Sequence, residues 1–167
     1  MPNRVNMAAP IPASPLFLTE PEIRRGIELL YFGNAQLTRS IDQGLSARGL
    51  GRAHHRALYF IARQPDLSVT QLIRLLAVTK QSLGRVVGEL VERGLVETRN
   101  GERDRRQRLL RLTEAGKTLE SELFESLRAR MGTAYASAGQ LAVGGFWAVL
   151  EGLIPEAERT RIAALRR

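Results

Sequence analysis

The chain contains no cysteine, which excludes structural disulfides and thiol-based sensing. Aromatic residues make up only 5%, so there are few flat side chains on which unpaired bases could stack. No run of about twenty apolar residues occurs, and nothing reads as a membrane span. A Gly-rich phosphate loop of Walker type, a cysteine nucleophile and a serine in an elbow motif are all missing, which argues against an enzyme. Glu89 and Glu92 lie on a predicted helix at a spacing that reads as solvated charge. His54 and His55 are the only histidines. Neighbours on a helix point about 100° apart, and no acid adjoins the pair in sequence, so a metal site is not expected. The expectation is one packed and one exposed histidine, with a titrating or effector role as the alternative.

What is present is basic. The 167 residues hold 25 Lys and Arg against 17 Asp and Glu, for a net charge of +8. That balance points to a polyanionic partner. Residues 79–113 carry nine Lys/Arg and five Asp/Glu, so half of the surplus sits in about a fifth of the chain. The charge is a patch rather than a uniform surface. A length of this order suits one domain with a true core. MPNRVNMAAPIPASP at the start is proline-rich, with a single Arg and no long apolar segment. It reads as a disordered or extended arm over 1–18 rather than a signal peptide, with the cytoplasm as the default compartment. Met7 stands as an alternative start to Met1.

Within residues 50–113 the local chemistry spells out a winged helix-turn-helix. Arg52 to Arg63 reads as a helix with Ala57, Leu58 and Ile61 inward, ended by Pro65. Ser68, three residues ahead of Gln71, is a capping-box signature. Leu72, Leu75 and Leu76 follow on one face. Ala77-Val78 reads as the turn, with Thr79 as the next N-cap. The second helix, about Lys80 to Arg93, carries an apolar stripe of Leu83, Val86, Val87 and Leu90. Lys80, Gln81, Ser82 and Arg85 lie off the stripe near its N-terminus, where recognition helices present side chains to DNA. Read singly, they are equally ordinary solvated residues. Gly84 and Gly88 weaken this helix or allow close approach to a neighbour or to DNA.

Gly94 supplies the stop. Leu95–Arg99 and Arg108–Leu112 read as paired strands. Asn100-Gly101 could close a two-residue hairpin, but a longer loop is favoured. Five arginines lie from Arg99 to Arg108 against Glu102 and Asp104. Such a loop buries nothing and projects towards a polyanion. The candidate DNA-binding residues are therefore Ser68, Thr70, Gln71, Thr79, Lys80, Gln81, Ser82, Arg85, Arg99, Arg103, Arg105 and Arg106.

Outside the lobe, Thr19-Glu20-Pro21-Glu22 opens a helix with Ile23, Ile27, Leu30, Leu37 and Ile41 on one stripe. The stripe either covers its own lobe or mates with a second subunit, and its position outside the helix-turn-helix favours the second. After Thr113, a predicted N-cap, a helix carries Leu119, Leu123, Leu127 and Met131. A turn at Gly139 leads to another, with Leu141, Phe146, Leu150 and Leu153, broken at Pro155. The tail resumes as helix on Ile162 and Leu165. Phe146 and Trp147 read as core or interface rather than as a ligand site. Residues 19–45 and 114–167 thus form a helical dimerisation region. The fold class is mainly α: a winged helix-turn-helix with a small β-hairpin wing plus N- and C-terminal dimerisation helices.

Asp104-Arg105-Arg106, Leu109 and Leu112-Thr113-Glu114-Ala115-Gly116 resemble the D-x-R … L-T-x-x-G signature of MarR-type regulators. Leu16-Phe17-Leu18-Thr19-Glu20, Gly51–Leu58 and Thr79–Leu83 resemble a PetP-like branch of that family. The resemblance covers roughly residues 20–155. It implies a sequence-specific transcriptional regulator, an obligate homodimer in which each winged lobe enters a half-site of double-stranded DNA. It implies that Asp104 braces the wing through a salt bridge to an arginine, and that Arg103 or Arg105 reaches the minor groove. It also implies no cofactor beyond a small, often phenolic, effector between the dimer helices and the lobe, which the sequence permits. The alternative is a winged module serving protein assembly or RNA. The wing arginines argue against the first and the scarcity of aromatics against the second.

Overall fold

The computed structural model describes residues 14–102 and 104–163. Arg103, Leu165, most of the expected N-terminal arm and both candidate start methionines lie outside the described residues. The described end of the arm, Pro15–Leu18, is a 3-10 turn rather than extended chain. After it come α1 (Glu20–Ser46), α2 (Arg52–Arg63), β1 (Leu67–Ser68), α3 (Val69–Leu76), α4 (Lys80–Glu92), β2 (Val96–Asn100), β3 (Arg108–Leu112), α5 (Glu114–Ala138), α6 (Gln140–Gly152) and α7 (Glu156–Ala163). Two compact units result, residues 1–36 and residues 37–167, with the boundary inside α1.

In the first unit α1 starts one residue before Pro21, with Glu20 and Glu22 in its first turn, where acids complement the helix dipole. The Thr19 hydroxyl donates back to the Leu16 carbonyl and so closes the preceding turn. Ile23, Ile27, Leu30, Tyr31 and Phe32 are all exposed.

The second unit contains the winged lobe and α5 to α7. Its most deeply buried side chains are Ile41 and Leu45 from α1, Leu58 and Ile61 from α2, Leu72 from α3, Leu90 from α4 and Leu110 from β3. Each contributes roughly 1.5–3 kcal/mol by leaving water, and together they fix the helix-turn-helix against the wing. The predicted caps form. The Ser68 hydroxyl accepts from Gln71 N–H while the Gln71 side chain accepts from Ser68 N–H, and Thr79 accepts from Ser82 N–H. The sheet has one strand more than the expected hairpin. β1 pairs antiparallel with β3, Leu67 opposite Leu110, to give the order β1-β3-β2.

The end of α4 is a Schellman turn. Gly94, at φ 67°, donates to Val91 O, and Leu95 N–H reaches back to Leu90 O. The Leu95 carbonyl then accepts from Thr113 N–H at 3.1 Å. Gly116, buried in the first turn of α5, lies so close that a Cβ there would stand 2.0 Å from that carbonyl oxygen. Gly84 and Gly88 face nothing within 4 Å among the described residues, so no contact seen there requires them.

The histidines depart from expectation, because both are half-buried. His54 bonds Glu89, which arrives from α4 and is therefore not simply solvated charge. His55 packs beside Tyr59, and its Nε2 is buried without a hydrogen-bond partner among the described residues. No group of three metal-ligating residues occurs among the described residues.

Gly116→Ala should destabilise by about 1–3 kcal/mol through overpacking, whereas Gly84→Ala should stabilise by roughly 0.5–1 kcal/mol. Thermal melts of the two variants falling on the same side of the parent would contradict this. Burial lowers the His55 pKa from 6.5, so below that pH the unfolded chain binds the extra proton and the folded chain resists it. Stability therefore falls as pH drops through about 6.5. His55→Phe should flatten that acid limb of the melting midpoint; an unaltered limb would exclude His55 as its source.

Candidate nucleic-acid interface

Two elements of the lobe carry basic side chains outward. α4 is held by Leu83, Val87 and Leu90, which are buried, so the helical repeat turns Lys80, Gln81, Ser82 and Arg85 to solvent, and all four are exposed. The turn before it is short. Ala77 takes the left-handed conformation, and the Arg56 guanidinium donates to the Leu76 carbonyl left open at the end of α3. Thr79 is exposed but its hydroxyl is committed to the cap.

Along α3 the candidates separate. Thr70 is exposed. Gln71 is exposed as well, although its side-chain oxygen accepts from Ser68 N–H. Ser68 is 8% exposed with its hydroxyl inside the capping box. It is a buried cap rather than a surface group, unlike the other candidates on this element.

The wing is a seven-residue loop, residues 101–107, because Asn100 pairs with Arg108 across the strands. The two-residue Asn-Gly turn is not used. Gly101 N–H donates to Gln107 O at 2.9 Å, and Gln107 N–H donates to Asp104 O at 3.0 Å. Asp104 meets the loop through the backbone. Its carboxylate accepts from Arg106 N–H at 2.9 Å, and it forms no ion pair with any described arginine. The ion pair that ties the wing down is Asp66–Arg111, joining the segment before β1 to β3. It raises the Arg111 pKa. Sequence reasoning missed it because the partners are 45 residues apart.

Ion pairing sorts the remaining cations. Arg48 pairs with Glu122, Arg52 with Asp42 and Arg99 with Glu97. Arg93 donates to the Arg48 and Gly49 carbonyls. Lys80 and Arg85 on α4 and Arg105 and Arg106 on the wing have no carboxylate partner among the described residues and are exposed. Those four sit on the two elements that a winged helix-turn-helix brings to a duplex. Arg99, by contrast, pairs with Glu97 two residues back on its own strand. Arg103 lies outside the described residues.

Comparison with known proteins bears on the same lobe. A family model described as MarR family matches residues 48–107. The HTH-type transcriptional regulator PetP of Rhodobacter capsulatus is 50% identical over 151 residues, covering 90% of this chain and 91% of its own. Among solved structures, a MarR-family transcriptional regulator from Silicibacter pomeroyi is similar with a TM-score of 0.67 at 20% identity, covering 84% of this chain and 94% of that one. A mutant MarR from E. coli, complexed with operator DNA, is similar at 0.64 and 20% identity, covering 86% and 100%. The solved structures match the architecture, and the half-identical relative spans nearly the whole chain. This chain belongs to the MarR family of winged helix-turn-helix transcriptional regulators, which bind DNA and are not enzymes.

Proposed function

We propose that this regulator binds a roughly palindromic operator as a homodimer. The N-terminal half of α4 enters the major groove through Lys80, Gln81, Ser82 and Arg85, with Gln81 and Ser82 at base edges, Lys80 and Arg85 at the flanking phosphates, and Thr70, Gln71 and Thr79 beside the backbone. The wing reaches a minor groove through Arg105 and Arg106, joined by Arg103. The observation that carries the proposal is a set of four exposed cations without carboxylate partners among the described residues, on the recognition helix and wing, while Arg52, Arg99 and Arg111 of the same lobe each face a carboxylate. Phosphate is the partner such a set lacks.

Exposed apolar surface supports the dimer. In the first unit α1 exposes Ile27 at 62%, Tyr31 at 73% and Phe32 at 64%. In the second, α6 exposes Leu141 at 94% and Trp147 at 52%. Soluble monomers seldom leave such surface open, and a second copy is the simplest cover. Work in the cytoplasm follows from DNA as the target; among the described residues no helix is long and apolar enough to cross a membrane. A small organic effector belongs to the same reading. Arg48, Leu50, Arg93, Leu95, Leu119 and Glu122 line an open cleft of about 430 Å³ between the lobe and α5, within the size range of small-molecule sites.

Fluorescence anisotropy against a duplex from the DNA upstream of its own coding sequence, with a scrambled duplex as control, tests the core of this. Salt-steep binding that favours the upstream duplex is expected; equal, weak binding to both would refute it. Arg105→Ala and Arg106→Ala should each flatten the salt slope by about 0.9 per lost phosphate contact. Gln81→Ala should relax discrimination at one base pair by roughly 1–3 kcal/mol. Slopes and base preference unchanged from the parent would remove the wing and the helix, respectively, from the interface. For the dimer, Ile27→Glu should weaken self-association at least tenfold in sedimentation velocity, and a persistent dimer would exclude the α1 face.

A further inference from the structure

Glu89 lies one helical turn from Arg85 on one side and from Arg93 on the other, the spacing at which a glutamate pairs along its own helix. Among the described residues it pairs with neither. Its carboxylate meets His54 Nε2 across the contact between α2 and α4, at 2.8 Å. The imidazole is fixed from its other side, because Nδ1 accepts the Gly51 backbone N–H at 3.0 Å. With Nδ1 an acceptor, the ring proton sits on Nε2 and is aimed at Glu89. The His54 side chain is 13% exposed, and Glu89 40%. Arg93 is committed elsewhere, its guanidinium 2.7 Å from the Arg48 carbonyl oxygen and 3.3 Å from that of Gly49. The one cation within a turn of Glu89 that holds no partner among the described residues is Arg85.

We propose that His54 is a positioning residue for DNA contact: by holding Glu89 against α2, it keeps Arg85 un-neutralised and available to phosphate. The inference rests on the DNA-binding reading above and adds to it a residue that touches no DNA. Released from His54, Glu89 has Arg85 within reach along α4, and the pair formed there removes one phosphate contact from each protomer. The arrangement also turns the Glu89 carboxylate towards α2 rather than along α4 to Arg85.

The test is the slope of log K against log salt for the full-length parent, Glu89→Gln, His54→Phe and the double variant, on the labelled upstream duplex. Glu89→Gln should keep the parent slope, since Glu89 does not neutralise Arg85 while His54 holds it. His54→Phe should lose about 0.9 of slope per protomer. The double variant should regain it, although it lacks the same histidine packing and would not recover if His54 acted only on stability. A parent slope in His54→Phe, or a double variant as flat as His54→Phe, overturns the proposal. Should the phenylalanine variant not fold, His54→Asn, too short to reach Glu89, carries the same comparison. A parent protein whose binding shows no salt dependence overturns the DNA-binding reading itself, and this inference with it.

Discussion

The Thr113 hydroxyl makes two hydrogen bonds on which the lobe's geometry depends. It donates to the Gly94 carbonyl at 2.6 Å and accepts from Gly116 N–H at 3.1 Å. The first bond ties the end of the wing to the end of the recognition helix, and the second starts α5. Thr113 N–H adds a bond to the next carbonyl, that of Leu95. Recognition helix, both wing strands and the long following helix therefore converge on two consecutive peptide groups. The junction is part-buried, with Gly116 inside and Gly94 at the surface, so each bond contributes only about 0.5–1.5 kcal/mol net and its main effect is to fix where the three elements meet. Gly116 belongs to the same junction, because only a residue without a Cβ lets α5 approach the Leu95 carbonyl.

Electrostatics divides the basic residues of the lobe by task. Arg52, Arg99 and Arg111 each face a carboxylate, and Arg56 and Arg93 close backbone carbonyls. These exposed pairs add little stability individually, yet they fix the orientation of the loops they join. Net charge alone would not distinguish such arginines from ones kept for a partner. Pairing does, and it concentrates the unspent charge on α4 and the wing.

Most of the helical architecture was legible because its signals are local. Ser68 with Gln71, Thr79 and Gly94 each act over at most five residues, and each forms the cap or stop its chemistry suggested. The longer wing loop was legible too, since the arginines between the strands had nothing to bury. β1 was not, because two residues carry no alternation, and Leu67-Ser68 becomes a strand only by pairing with residues more than forty positions away. The same limit hid Asp66–Arg111 and His54–Glu89, whose partners are 45 and 35 residues apart. For Asp104 a carboxylate among arginines suggested an ion pair, while the bond seen among the described residues is to a nearer backbone N–H of the turn. Ser68 was read at once as a cap and as a surface residue; it forms the cap and is buried by the packing around it.

The wing loop closes on itself through Gly101 to Gln107, Gln107 to Asp104 and the Asp104 carboxylate to Arg106. Gly101 is buried there, and a Cβ would stand 2.8 Å from the Asp104 carbonyl oxygen. Loops that order only when they meet a ligand give up part of their binding free energy to lost conformational freedom. Here the backbone of residues 104–107 is already held by the protein's own hydrogen bonds, so on the proposed DNA-binding reading docking need restrain little beyond the Arg105 and Arg106 side chains. The wing is in this sense pre-organised, and its contribution to affinity should be set by those side chains rather than by the length of the loop that bears them.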